Sequence, residues 1–167
     1  MKSNDRITVI ILGLLAQEAM SGYALKKRME LSVSNFVRPS FGNIYPTLKK
    51  LHASHDIRVV NRSSNTKTVY ETTPAGIQTL KTWLMSPLHP NEPFLLREYF
   101  FGFIDPAKRK ELVQAYIQHL YTTLNHYGEI KANYQAVMGE FPYATLRFGI
   151  SQVTHDIAWY EAQLKEL

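Results

Sequence analysis

Apolar positions in the first half of the chain recur at helical spacing and predict helices packed on one core. The run from Ile7 to Ala16 is apolar nearly all round, which is typical of a buried helix. Ser21 can cap a second helix, whose apolar residues are spaced to face inward. In a third helix, Ile44, Leu48 and Leu51 form an inward stripe at i, i+4 and i+7.

A proline restricts where the third helix begins. A proline ring clashes with the carbonyl four residues earlier, so Pro46 must lie near the helix start, and we expect that start near residues 40–43. The helical period then directs a second, polar set of side chains away from the core. That set is Gly42, Asn43, Tyr45, Pro46, Lys49 and Lys50.

Two β-prone runs follow the third helix and predict a hairpin. They are Ile57–Asn61 and Lys67–Thr72, joined by a polar loop that contains Arg62. Thr73-Pro74 is a typical N-cap and first helical residue, and it opens a closing helix. Three helices, a basic hairpin and a closing helix together predict a winged helix-turn-helix.

The second half predicts long helices. Three prolines at residues 87–93 indicate a linker, an aromatic helix is expected over 94–104, and a long helix from Pro106 to about Met138 precedes a last one. Two long amphipathic helices leave apolar faces uncovered, which predicts a homodimer. The residues expected on the dimer seam are Val113, Leu120, Tyr127, Tyr134, Leu146, Ile150, Val153, Ile157, Tyr160 and Leu164.

These elements predict a mainly α fold with a small β-hairpin. Residues 1–86 form the N-terminal winged helix-turn-helix, 87–93 the linker, and 94–167 an all-helical dimerisation domain.

Charge divides the chain at the same place. Residues 1–86 carry 12 Lys and Arg against 5 Asp and Glu, whereas residues 87–167 carry 7 against 9. A basic module of this kind indicates a polyanionic partner, and double-stranded DNA fits the predicted fold. In that interpretation lysines and arginines neutralise phosphates, while polar side chains of the third helix reach bases or phosphate oxygens. The DNA-binding residues expected are Ser21, Tyr23, Lys26, Ser40, Asn43, Tyr45, Lys49, Lys50, Arg62 and Lys67.

Other features bear on location. The chain has no cysteine, which excludes disulfides and thiolate chemistry and suits a reducing cytoplasm. The run near the N-terminus is too short to span a bilayer. It also lacks the small residues of a signal-peptide cleavage site, since Gln17 and Glu18 follow it, so we expect neither a signal peptide nor a membrane span.

Several segments resemble the PadR family of bacterial transcription regulators. They are Ile11–Leu15, Met20–Lys26, Arg38–Leu51, Val69–Tyr70 and Thr73–Gly76, in the family's order and spacing. The resemblance implies that the third helix reads DNA and that the hairpin is the wing. Residues 97–102 are similar to the start of the helical second domain through which a subgroup of the family dimerises.

This chain departs from the family's pattern at the entrance to the wing. His55-Asp56 stands where a glycine is usual, and because histidine tolerates positive φ we expect the turn to be kept with some strain. Thr72 replaces a usual leucine, and the loop lacks the common basic run, so its contacts are less defined than those of the third helix.

Catalytic and metal chemistry find little support. Neighbouring side chains diverge, so Ser54-His55-Asp56 cannot form a catalytic relay. His52 and His55 are spaced as metal ligands, but no third ligand is recognisable nearby, and surface histidines are the better interpretation. We therefore expect a protein that is not an enzyme and that needs no cofactor or metal.

Aromatic residues are concentrated in the second half, which has 14 of the 20 in the chain. They could line a pocket for a small aromatic effector, as some members of the family have, or they could be core. The residues expected in such a pocket are Phe94, Tyr99, Phe101, Tyr127, Tyr134 and Trp159. The function predicted is a cytoplasmic, homodimeric repressor of a palindromic operator. An activator, or a winged helix that binds protein instead of DNA, are the alternatives.

Overall fold

The computed structural model describes residues 3–61, 68–88 and 92–167. The chain divides into two units, Met1–Phe103 (unit 1) and Ile104–Leu167 (unit 2). The predicted architecture is confirmed: helices dominate, and unit 1 adds one small antiparallel sheet.

The apolar run near the N-terminus forms the central helix of unit 1. This helix, α1, spans Ser3–Gln17, and Ile10, Ile11 and Leu12 are fully buried. The other helices of the unit are α2 (Gly22–Ser32), α3 (Phe41–Ala53), α4 (Pro74–Met85) and α5 (Phe94–Glu98), followed by a 3-10 turn at Phe101–Phe103.

Hydroxyl caps set two of these helix starts. The Ser21 side chain accepts a hydrogen bond from the Ala24 N–H at 3.3 Å and caps α2. Thr73 does the same for α4, accepting from the Gly76 N–H at 3.2 Å. Both caps satisfy amide donors that have no partner within the helix.

The sheet contains one strand that the sequence does not predict. Strands β2 (Ile57–Asn61) and β3 (Val69–Thr72) form the expected hairpin, but β1 (Met20–Ser21) pairs with β3 on its other edge. Met20 lies opposite Tyr70 in that pairing. Two residues are too few to show a strand pattern, so only the folded chain reveals β1.

The turn before β2 has the backbone expected of it. His55 has a φ of 61°, which confirms the predicted left-handed conformation. The Thr73 hydroxyl donates to the His55 carbonyl at 2.7 Å, and the Thr73 N–H donates to the Asp56 carbonyl at 2.9 Å. Gly76 passes so close that an added Cβ would lie 2.1 Å from the Asp56 oxygen. The strained turn is therefore held by the start of α4.

The aromatic segment after the linker packs in unit 1, which ends at Phe103, whereas the sequence pattern groups residues 94–104 with the helices that follow. Phe100 is fully buried, and a Cβ added at Gly13 would meet its ring at 2.2 Å. The ring thus lies directly on the backbone of α1. Because sequence spacing does not specify what a buried ring packs against, the prediction placed this segment with the helices that follow it.

A buried arginine closes the end of unit 1. Arg97 is fully buried and forms an ion pair with Glu92, whose side chain is 2% exposed. Its guanidinium also donates to the carbonyls of Leu84, Ser86 and Pro87 at 3.0, 2.5 and 3.1 Å. A buried cation with this many acceptors ties α5 to the C-terminal end of α4. We call this arrangement the Arg97 clasp.

Unit 2 is a pair of long helices, α6 (Pro106–Tyr134) and α7 (Glu140–Glu166). The Tyr116 and Tyr160 rings meet edge to face at 5.0 Å, and a Cβ added at Gly149 would lie 3.1 Å from Tyr127. Since the early part of α6 contacts the late part of α7, the helices are antiparallel. Burial, with the nearby charge of Asp156, raises the pKa of Tyr116.

Candidate nucleic-acid interface

Helix α3 has one buried and one exposed face, and both are as the sequence predicts. Ile44, Leu48 and Leu51 are at most 2% exposed and anchor the helix to the core. The opposite face is open: Gly42, Tyr45, Pro46, Lys49 and Lys50 are all exposed. The helix therefore presents two lysines and a tyrosine to a partner while its position is held from behind.

Asn43, which was predicted to contact DNA, forms hydrogen bonds with the backbone at the start of α3. The Asn43 side-chain oxygen accepts from the Ser40 N–H at 2.9 Å, and its amide nitrogen donates to the Arg38 carbonyl at 3.0 Å. Asn43 thus braces the chain at the helix N-terminus, and Ser40 is the N-cap residue. The side-chain amide of Asn43 can bind the backbone at the helix start or a DNA base, but the same amide cannot do both at once. The sequence pattern does not distinguish these two roles.

An exposed row of three aromatic rings crosses from α2 to α3, and we call it the aromatic row. Tyr23, Phe41 and Tyr45 are 54%, 44% and 48% exposed. The Tyr23 and Phe41 ring centroids are 6.4 Å apart and nearly parallel at 23°, and the Phe41 and Tyr45 centroids are 5.8 Å apart. Phe41 is not among the residues predicted to contact DNA, and its apolar ring at the first position of a solvent-facing helix is the sequence signal that marks it.

Lys26 and Gly22 complete this surface. The Lys26 ammonium lies 5.3 Å from the Phe41 ring centroid and also pairs with Glu30 one turn along α2. A Cβ added at Gly22 would approach the Tyr45 ring to 2.9 Å, so that ring rests on the α2 backbone. The N-terminal turns of α2 and α3 are thereby joined through aromatic contacts.

A groove runs between α3 and the sheet. One part has a volume of about 390 Å³ and a second part about 320 Å³, and Tyr45, Thr68 and Tyr70 line both. Lys49 and His52 border the first part, where α3 faces β2 and β3. Polar and cationic side chains along a concave strip suit the sugar-phosphate backbone of a nucleic acid.

The remaining predicted DNA contacts differ in their surroundings. The Ser21 side chain caps α2 and lines the groove, so it is partly engaged. Arg62 and Lys67, predicted at the tip of the hairpin, lie outside the described residues. Arg58, on β2, is paired with Glu71 across the sheet.

The predicted effector residues are divided between the two units. In unit 1, Phe94 and Phe101 are buried and pack edge to face at 5.9 Å, so they fill space instead of bordering it. Tyr99 packs on Phe100 in the same way at 4.9 Å. In unit 2, Tyr134 and Trp159 are 56% and 50% exposed, and Tyr127 rests on the glycine at position 149 of α7.

The predicted dimer seam is in large part the internal seam of the α6–α7 pair. Five of its ten residues are already buried in the single chain, because an antiparallel helix pair buries its own facing stripes. They are Val113, Leu120, Val153, Ile157 and Tyr160. Leu146, Ile150 and Leu164 are half-buried. Tyr134, also a predicted seam residue, is 56% exposed, and Val137 and Phe141, which lie around the turn and outside the predicted seam, are 80% and 81% exposed.

Two further features are absent from the described residues. No helix there is both long enough and apolar enough to cross a bilayer. Nor do these residues gather three or more histidines or carboxylates where a metal ion could be held.

Comparison with known proteins divides the chain in two. A family model described as "Transcriptional regulator PadR-like family" matches residues 11–82. A second, described as "Virulence activator alpha C-term", matches residues 90–167.

Individual relatives are similar over part or most of their length. The "Negative transcriptional regulator PadR" of Bacillus subtilis is 27% identical over 135 residues, covering 77% of this chain and 72% of the relative. A "Probable transcriptional regulator" of Mycobacterium tuberculosis is 31% identical over 86 residues, covering 50% of this chain and 46% of the relative.

Solved structures of Bacillus subtilis PadR also match. The complex with operator DNA is 22% identical with a TM-score of 0.44, covering 96% of this chain and 97% of that one. The complex with p-coumaric acid is 24% identical with a TM-score of 0.45, covering 96% and 98%.

Proposed function

The chain belongs to the PadR-like family of transcriptional regulators, a family without enzymatic activity, and from that premise we propose that it is a homodimeric repressor. In this proposal α3 of each copy enters the major groove of one half of a two-fold-symmetric operator. A small aromatic compound releases the protein from DNA.

The observation that carries the proposal is the exposed face of α3 beside the groove. Lys49 and Lys50 project from a helix whose other face is buried, in a segment with 12 basic and 5 acidic residues. Tyr45 connects this face to the groove, which Tyr70 of β3 also lines. A rigid, cationic helix with a polar trough beside it suits insertion into a duplex groove.

Repression is proposed because the Bacillus subtilis relative is described as a negative regulator. The description of the model matching residues 90–167 favours a second candidate, activation. A reporter gene fused to the chain's own upstream region separates them, since deletion of the regulator raises expression under repression and lowers it under activation.

Dimerisation is proposed through unit 2. Val137 and Phe141 are about four-fifths exposed near the turn between α6 and α7, and apolar side chains this exposed favour cover by a second copy. Sedimentation equilibrium of the full chain tests this: we expect a dimer, and weakening on Phe141→Ser. A monomeric wild-type chain would contradict it.

An aromatic effector is proposed from the 14 aromatic residues of the second half and from the relative solved with p-coumaric acid. Titrating p-coumaric acid into the protein–DNA complex should release the duplex. Unchanged affinity would leave this chain with a different effector or none, and the regulator proposal would stand.

DNA binding by α3 is tested by the salt dependence of affinity. Fluorescence anisotropy with a labelled duplex from the upstream region should show weaker binding by Lys49→Ala, with a salt slope lower by about one counterion. Lys131→Ala, an exposed lysine of α6, is the matched control. If Lys49→Ala binds like the wild type, α3 does not enter the groove. If the wild type shows no salt-dependent duplex binding, the winged helix serves protein interaction instead.

A further inference from the structure

The aromatic row has a member without a role in the proposed function. Phe41 does not belong to the core: its ring is 44% exposed, whereas the apolar stripe of α3 is buried. Its contacts are with Tyr23, Tyr45 and Lys26, three residues expected at DNA. We propose that Phe41 is a positioning residue for DNA binding, whose ring holds these three side chains toward the phosphates of a duplex. This inference rests on the proposed function.

The ring of Tyr45 is confined on two sides. The α2 backbone at Gly22 lies under it, and a Cβ there would approach to 2.9 Å. Phe41 lies against it at a centroid distance of 5.8 Å and an angle of 33°. The backbone contact is a property of the fold, and Phe41 adds a side-chain contact that limits the motion of the tyrosine ring further.

The ring of Phe41 also packs against Tyr23. This tyrosine is more than half exposed, and its ring packs nearly parallel to that of Phe41. Tyr23 belongs to α2 and Phe41 to α3, so the contact spans two helices. Aromatic pairs gain attraction beyond buried area, so the contact narrows the range of positions open to the tyrosine hydroxyl.

The ring of Phe41 also lies close to the ammonium of Lys26. The ammonium is drawn to Glu30 on the same helix, which neutralises it, and to the face of Phe41, which does not. A cation over an aromatic ring keeps its full charge available to a phosphate. The ring therefore keeps the ammonium beside the aromatic row while the same ammonium is paired with Glu30.

Together these contacts preorganise a surface made of two tyrosines and one cation. Side chains already ordered in the free protein lose less entropy on binding, so affinity rises without any new contact to DNA. Removing the ring should therefore weaken binding through Tyr23, Tyr45 and Lys26, while the core stays intact.

The test is a set of variants of the full chain, bound to a labelled mixed-sequence duplex of about 30 base pairs, because phosphate contacts carry no sequence information. Phe41→Leu keeps an apolar side chain but removes the ring face, and we expect it to weaken binding by about 5- to 10-fold. Phe41→Tyr keeps the ring and should restore near wild-type affinity. Leu31→Ala, which truncates a 77% exposed apolar residue on α2, should have no effect.

A positioning role also predicts non-additivity. In the Tyr45→Phe background, which lacks the hydroxyl that Phe41 positions, the loss caused by Phe41→Leu should be smaller than in the wild type. The salt slope of Phe41→Leu should also fall, because the Lys26 ammonium is less well placed. Thermal unfolding should be nearly the same for all variants, which separates this role from a structural one.

The outcomes are distinct. If the wild type fails to bind duplex, the proposed function fails. If the wild type binds and Phe41→Leu binds equally well, or if Phe41→Leu and Tyr45→Phe combine additively, Phe41 does not position these groups and the proposed function is untouched.

Discussion

The Arg97 clasp allows a stability prediction to be worked from the structure. Arg97→Met keeps an unbranched apolar side chain but removes the guanidinium, leaving Glu92 with a side chain 2% exposed and without its partner. Backbone carbonyls of Leu84, Ser86 and Pro87 lose their donor at the same time.

The expected loss of unfolding free energy follows from the burial of both charged side chains. Breaking a buried ion pair from one side costs about 3–5 kcal/mol, because an uncompensated charge stays in a poorly solvated place. For a unit of about 100 residues, that corresponds to a fall in melting temperature of roughly 15–30 °C. Methionine fills most of the space, so the cavity contribution is small.

Urea unfolding followed by circular dichroism measures the effect, with Arg58→Met as the matched control. Arg58 also pairs with a glutamate, but its side chain is 70% exposed, and such a pair contributes about 0–1 kcal/mol. In the double variant Arg97→Met with Glu92→Gln, part of the stability should return because no unpaired charge remains. If Arg97→Met costs no more than Arg58→Met, the clasp does not hold the end of unit 1.

Three further predictions concern particular positions. His55→Gly should raise the free energy of unfolding by up to about 1 kcal/mol, because glycine adopts the φ of 61° without strain; a decrease would show that the turn is not strained. Gly76→Ala should lower it by at least about 2 kcal/mol in the same urea assay, since its Cβ would lie 2.1 Å from the Asp56 carbonyl oxygen; an unchanged midpoint would contradict that approach. Because burial raises the pKa of Tyr116 in the folded chain above the ordinary value of 10.0, the unfolded chain ionises first and stability should fall as the pH rises above about 10. Tyr116→Phe should lose less stability than the wild type between about pH 9 and pH 11, and equal losses would place the titrating group elsewhere.

Much of the fold was predictable because its signals are local. The hydroxyl cap at Thr73 and the proline after it set the start of α4, and the apolar stripe of α3 sets which face is exposed. The positive φ at His55 was also predictable, since few residues other than glycine tolerate it. These signals act over a few residues, where spacing and geometry are directly linked.

What the sequence pattern leaves open concerns contacts between distant residues. Phe100 fills the space over Gly13, which moves the aromatic segment into unit 1. Asn43 turns back to brace the start of α3. Many of the apolar residues that recur along α6 and α7 are buried between these two helices of one chain. Helix pairing within a chain and between chains uses the same apolar spacing, so the sequence pattern does not distinguish them.

The sequence by itself determined which segments are helical, which face of α3 is apolar, where the positive charge lies and which family the motifs resemble. Those properties depend on residue type and short spacing, which the chain carries whether it is folded or not. The tertiary structure alone decided that β1 completes the sheet, that Arg97 is buried among carbonyls, and that Phe41 joins α2 to α3. Each of these features depends on which residues distant in sequence come into contact when the chain folds. The spacing of residues along the chain does not specify those contacts.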